Sequence, residues 1–111
     1  GTSIGKYSSH RVNKDTLNGD EVYYRDAAKL FKEKINIPLI LVGGIRSYEV
    51  ARELIEDGLA DYVSLSRPLI REPYLIRRWQ SGDTRSATCI SCNKCFTPAQ
   101  EGKGLYCMLD K

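Results

Sequence analysis

Four cysteines near the end of the chain are spaced as metal ligands. Cys89, Cys92 and Cys95 are each separated by two residues, and Cys107 follows after eleven more. Three thiolates on one short, turn-rich stretch can wrap around a centre. A fourth can return to complete a tetrahedral site for zinc or for an iron–sulfur cluster. The return passes Pro98, Gly102 and Gly104, residue types that permit sharp reversal. Lys94 and Arg85 lie close in sequence and add positive charge, which favours thiolate over thiol. Free thiols that share no centre are the alternative.

A second chemistry is carried by two pairs of residues further upstream. Gly43 and Gly44 follow a continuous apolar run and are followed at once by a helix start. Glycines let backbone N–H groups approach an anion closely, and a helix N-terminus adds a favourable dipole. Ser66 and Arg67 follow a second short apolar run, where a guanidinium can hold a phosphate through two parallel hydrogen bonds. Taken singly, a Gly-Gly is more often a plain turn and such an arginine a surface charge. Together, on consecutive strands, they point to a phosphate site.

The elements that would position these residues alternate in type. Residues 1–19 are polar, rich in Gly and Ser, and predict a long loop that contains the only histidine, His10. Asp20 suits a helix cap and Glu21 a first turn, before a stripe of Tyr24, Ala27, Ala28, Phe31 and Ile35. Leu39 to Val42 predicts a parallel strand buried on both faces. Ser47 then caps a helix with Val50, Ala51, Leu54 and Ile55 on its apolar face, and Gly58 ends it. Tyr62 to Leu65 predicts a second strand. Pro73 opens a third helix with Leu75, Ile76 and Trp79 inside. Strands alternating with amphipathic helices imply an α/β fold with a parallel sheet. Two strands cannot complete such a sheet with both faces covered, so a further part is expected before residue 1.

Composition narrows the classes. The 111 residues are 41% hydrophobic and 28% charged, an ordinary globular balance. Seventeen basic and fourteen acidic residues leave a net charge of +3, spread without a basic stripe, so nothing argues for nucleic acid. No apolar run approaches the ~20 residues of a membrane span, and the first residues lack the apolar core of a signal peptide. A cytoplasmic, reducing setting is expected, in which clustered cysteines ligate metal rather than pair as disulfides.

Residues 38–47, Pro-Leu-Ile-Leu-Val-Gly-Gly-Ile-Arg-Ser, and 58–70, Gly-Leu-Ala-Asp-Tyr-Val-Ser-Leu-Ser-Arg-Pro-Leu-Ile, resemble the last two strands of the old yellow enzyme family of NADH:flavin oxidoreductases. The resemblance is clearest over residues 38–73. It implies the C-terminal part of an FMN-binding (β/α)₈ TIM barrel over residues 1–84, followed by a cysteine-rich segment over residues 85–111. It also implies an enzyme that passes electrons from NAD(P)H to FMN and on to an activated alkene or related small-molecule acceptor. Gly43, Gly44, Ser66 and Arg67 would hold the FMN phosphate, with Arg67 also near the flavin ring. Many family members carry Gly where this chain has Ser66. Larger members, of the 2,4-dienoyl-CoA reductase kind, carry a [4Fe–4S] cluster just after the barrel. Their second and third cysteines are typically separated by three residues, here by two, and zinc stays open beside iron–sulfur for Cys89, Cys92, Cys95 and Cys107. The substrate-binding and proton-donating residues of the family lie upstream of residue 1, so no catalytic residue is assigned. The chain alone is expected to be inactive and to self-associate where the N-terminal half of the barrel is missing. The alternatives are a non-catalytic metal-binding or interaction module and a phosphate-binding barrel enzyme that uses no flavin.

Overall fold

The structure is a computed structural model and describes residues 21–110. The expected long loop, His10 and the Asp20 cap lie outside the described residues. Five helices and two strands follow in order: α1 (Arg25–Lys34), β1 (Ile40–Val42), α2 (Tyr48–Glu56), β2 (Tyr62–Ser64), α3 (Arg67–Arg71), α4 (Leu75–Gln80) and α5 (Phe96–Gln100). A 3₁₀ turn at Met108–Asp110 closes the described chain.

β1 and β2 pair in parallel, in the register Ile40↔Tyr62, Leu41↔Val63 and Val42↔Ser64. This is the α/β arrangement that the alternation of patterns predicts, with α2 as the connection. Gly58 ends α2 in the left-handed region, at φ +72°, where its amide meets the Ile55 carbonyl at 3.1 Å. Glycine carries no Cβ penalty there. The chain then turns through Leu59, whose amide bonds back to the Leu54 carbonyl, and enters β2.

The core lies on one side of this pair. Leu54 is fully buried, among Val22, Ala28, Leu41, Ile45, Ala51 and Ala60. A smaller cluster of Leu75, Trp79 and Ala87 sits beyond α3. Trp79 packs edge-on to Tyr48, with ring centroids 5.9 Å apart, and donates its indole N–H to the Arg85 carbonyl at 3.0 Å.

Three expectations need correction. The apolar run at 39–42 is not buried on both faces: Leu41 is inside, but Ile40 and Val42 are exposed, as is Tyr62 opposite Ile40. Hydrophobicity reports that a face can be covered, and among the described residues nothing covers this one. The third helix forms as α4 with Leu75 and Trp79 buried, but Ile76, expected inside, is exposed, and a short helix that the pattern did not predict, α3, precedes it. Pro68 sits in the first turn of α3, where its missing N–H costs nothing. Pro73 then precedes α4. Glu21 does not occupy a first turn, because α1 begins four residues later, at Arg25. Its carboxylate instead accepts from the Ser47 hydroxyl at 2.9 Å and from the amides of Ser47 and Arg46 at 3.3 and 3.4 Å. It is therefore Glu21, across the chain, that satisfies the start of α2. Ser47 is the residue at the cap, but its side chain makes no capping bond.

Candidate functional site

Parallel pairing puts the C-terminal ends of both strands on one edge of the sheet. Val42 stands opposite Ser64, so Gly43–Gly44 and Ser66–Arg67 leave that edge side by side. This is the arrangement the proposed phosphate site requires. Gly43 and Gly44 both have positive φ, +123° and +72°. A Cβ at Gly43 would meet the Tyr24 ring at 3.0 Å, and one at Gly44 would meet the Tyr23 ring at 3.0 Å. Neither glycine has room for a Cβ, because two tyrosine rings lie against the pair. The next amides along, of Arg46 and Ser47, are already bonded to the Glu21 carboxylate. An anion arriving here would rely on Gly44, Ile45 and the Ser66–Arg67 loop.

The loop after β2 leads straight into α3, and α3 faces the cysteines. Arg67 donates Nη1 to the Asn93 side-chain carbonyl. One helical turn later, Arg71 donates Nη1 to Cys107 Sγ at 3.3 Å and Nε to Thr88 Oγ1 at 2.8 Å. Thr88 in turn donates its amide to Glu72 at 2.8 Å. The approach to the cysteines is held as well. The Ala87 amide bonds to the Arg46 carbonyl at 2.8 Å, and Arg78 donates to the carbonyls of Arg85 and Ser86.

Between Cys89 and Cys95 the chain turns sharply. Ser91 and Asn93 both have positive φ, +55° and +63°, and both are buried. Asparagine tolerates that conformation better than most residues. The Ser91 amide points at Cys89 Sγ, 3.4 Å away. Phe96 and Thr97 bond back to the carbonyls of Asn93 and Lys94, which starts α5 directly after Cys95.

All four cysteines are free and half-buried. They line one small cavity of about 20 Å³ together with Arg67, Arg71 and Asn93. The fold thus gathers the four residues that the spacing singled out. Yet among the described residues no three Cys, His, Asp or Glu donors converge as a finished metal site. The two observations describe different things, a shared cavity and a closed coordination sphere. Burial pushes the Cys95 thiol up, and the neighbouring Cys89 adds to this, while Arg67 acts in the opposite sense. Arg67 and Arg71 on α3 line the cavity with the sulfurs, a source of positive charge additional to Lys94, which lies between the second and third cysteines. Arg85, which the sequence suggested, is turned away onto Asp83 at 2.6 Å.

Sequence reasoning assigned Glu21 to a first turn and passed over Arg71 and Asn93. The four-residue spacing of Arg67 and Arg71, and the Asn between the second and third cysteines, were visible. Their meeting across the fold was not.

No protein-family model matches the chain, and no solved structure matches it. Among curated proteins, several of those it resembles are named as oxidoreductases. It is 30% identical over 83 residues to a 4,4'-dithiodibutanoate disulfide reductase of Rhodococcus erythropolis, covering 75% of this chain and 20% of that protein. It is 26% identical over 108 residues to a metal reductase of Desulforamulus reducens, covering 96% of this chain and 16% of that protein. That second match is long enough to include the cysteine segment. A different class also appears. The imidazole glycerol phosphate synthase subunit HisF of Shewanella amazonensis is 46% identical over 74 residues, covering 67% of this chain and 27% of that protein. The chain therefore spans a quarter or less of the length of most of the curated relatives named here.

Proposed function

We infer that the chain is the C-terminal part of a (β/α)₈ barrel oxidoreductase of the old yellow enzyme kind, carrying its FMN-phosphate loops and a metal-binding segment. The observation that carries this reading is a juxtaposition. One sheet edge presents Gly43–Gly44 beside Ser66–Arg67, and the helix that begins at Arg67 borders the pocket of four cysteines. An FMN-bearing barrel would place its phosphate on the loops after its last two strands. In this reading Gly43 and Gly44 let backbone amides approach the phosphate. The Ser66 amide and the Arg67 fork would complete the cradle. The Tyr23 and Tyr24 rings would move aside or flank the bound group. FMN, when bound, supplies hydride transfer between NAD(P)H and a small-molecule acceptor, and the chain's own residues bind and orient it.

Cys89, Cys92, Cys95 and Cys107 hold the metal centre in this reading. The resemblance favours [4Fe–4S]. The cavity as it stands has room for one or two water-sized bodies, which suits a single zinc ion, and a four-iron cube would have to widen it. Free thiols fit a reducing, cytoplasmic setting. Among the described residues no helix is long and apolar enough to cross a membrane.

The test is made on the whole protein that carries this chain. Flavin absorbance bands are expected. Arg67→Ala should weaken FMN binding by about 10- to 150-fold, the worth of one charge-assisted hydrogen bond of roughly 1.5–3 kcal/mol. Unchanged flavin affinity in that variant would remove Arg67 from the site.

A second reading has its own support in the likeness to an imidazole glycerol phosphate synthase subunit. There the same loops would hold a phosphate ester and no flavin. Absence of flavin bands, with binding of a phosphate ester that Arg67→Ala weakens, would favour it. A non-catalytic metal-binding module would show metal content and neither of the other properties.

A further inference from the structure

We propose that Arg67 and Arg71, four residues apart on one face of α3, are positioning residues of the cysteine pocket that brace its two sequence-distant halves and balance its charge. The proposal rests on reading Cys89, Cys92, Cys95 and Cys107 as a metal site. The two arginines divide the work. Arg67 reaches Asn93, which is 1% exposed, has positive φ, and lies between the second and third cysteines. Arg71 reaches the sulfur of the fourth cysteine at 3.3 Å and the Thr88 hydroxyl next to the first. Residues i and i+4 share a helix face, so one short helix contacts both segments. Two residues separate the end of β2 from the start of the helix, and the amides of Leu69 and Ile70 both bond to the carbonyl of its N-cap residue, Ser66.

Charge gives the second argument. Four thiolates around a divalent ion, or around a cluster core of the same charge, carry two net negative charges. Two guanidiniums lining the same cavity cancel them. Arginine suits the task, because it stays protonated, is weakly hydrated, and donates in a fixed planar fork. Left uncompensated, the two net negative charges of the loaded centre would be costly to hold in a half-buried pocket. Groups that bond to metal ligands from outside the coordination sphere typically change metal affinity by about 10- to 100-fold when removed.

The test is cobalt(II) titration of the full chain, reduced and metal-free, followed by thiolate-to-cobalt charge-transfer absorbance. The native chain is expected to take up one equivalent. Arg71→Ala should bind about 10- to 100-fold more weakly, yet reach the same four-thiolate spectrum at saturation. Arg71→Lys, which keeps the charge, should recover part of that loss. Arg71 is the cleaner probe because it lies outside the proposed phosphate site; Arg67→Ala should weaken cobalt in the same sense. Fluorescence of Trp79, the one tryptophan, checks that each variant is folded. Native cobalt affinity in both alanine variants, with affinity lost in Cys92→Ser, would overturn the bracing role and leave the metal site standing. Cobalt binding that is absent in the native chain, or indifferent to Cys92→Ser, would overturn the metal site and the proposal with it.

Discussion

Asp61 precedes β2, and its Oδ2 accepts from Lys32 Nζ at 2.9 Å and from the Leu39 amide at 2.8 Å. One carboxylate thereby ties α1 to both strands, which gives a physical reason for the Asp in Gly-Leu-Ala-Asp. The Lys32 bond, and after it the Leu39 amide, hold its carboxyl below its ordinary value of 3.8. A carboxyl whose value is lowered by folding stabilises the fold above the unfolded value, and that contribution is lost as pH falls through the folded one. Thermal melts between about pH 6 and pH 2 should therefore show Asp61→Asn melting below the native chain at the upper end. The gap should close below about pH 4. A gap independent of pH would mean that the charge of Asp61 contributes nothing.

Gly44 and Gly58 share φ +72°, so substituting each with alanine carries the same backbone penalty, of about 1–2 kcal/mol for a left-handed residue. Their surroundings differ. A Cβ at Gly58 meets nothing within 4 Å, whereas one at Gly44 meets the Tyr23 ring at 3.0 Å and the Val22 amide at 3.1 Å. Denaturant unfolding should show Gly44→Ala as the more destabilised of the two. The excess measures how tightly the entry to α1 closes over the β1–α2 loop. Equal losses would mean that Tyr23 and Val22 yield without cost. At this scale two short stretches are held from outside themselves: α2 by Glu21 at its start, and the segment before the cysteines by Arg78, which donates to the carbonyls of Arg85 and Ser86 and bonds Glu72 at 3.0 Å and Asp83 at 3.3 Å.

For the whole molecule, the exposed sheet face matters most. Ile40 is 63% exposed, Tyr62 opposite it 64%, and Val42 45%. In the proposed barrel these side chains would be covered by the preceding strands. In the isolated chain they leave apolar surface and unpaired strand edges, which invite association. Sedimentation should show a mass above that of the monomer that falls on dilution, and Ile40→Lys should shift the equilibrium toward monomer. A native chain that stays monomeric at high concentration would show that this face needs no cover.

Local pattern determined much of this protein. The apolar runs at 39–42 and 62–65, with an amphipathic stretch between them, specify a parallel α/β unit, because only that connection lets such a helix lie on the strands it joins. Gly58 acts within a few residues of itself and is found where its local chemistry places it, at the end of α2. What tertiary structure alone decided are the pairings across 26 or more residues. Glu21 lies at the start of α2, Arg67 on Asn93, and Arg71 on Cys107. An arginine reads alike in sequence whether it faces solvent, a phosphate or a sulfur. Its partner is set by how the intervening strand and helix fold back, and that depends on packing around Leu54 and Leu75, not on any property of the arginine.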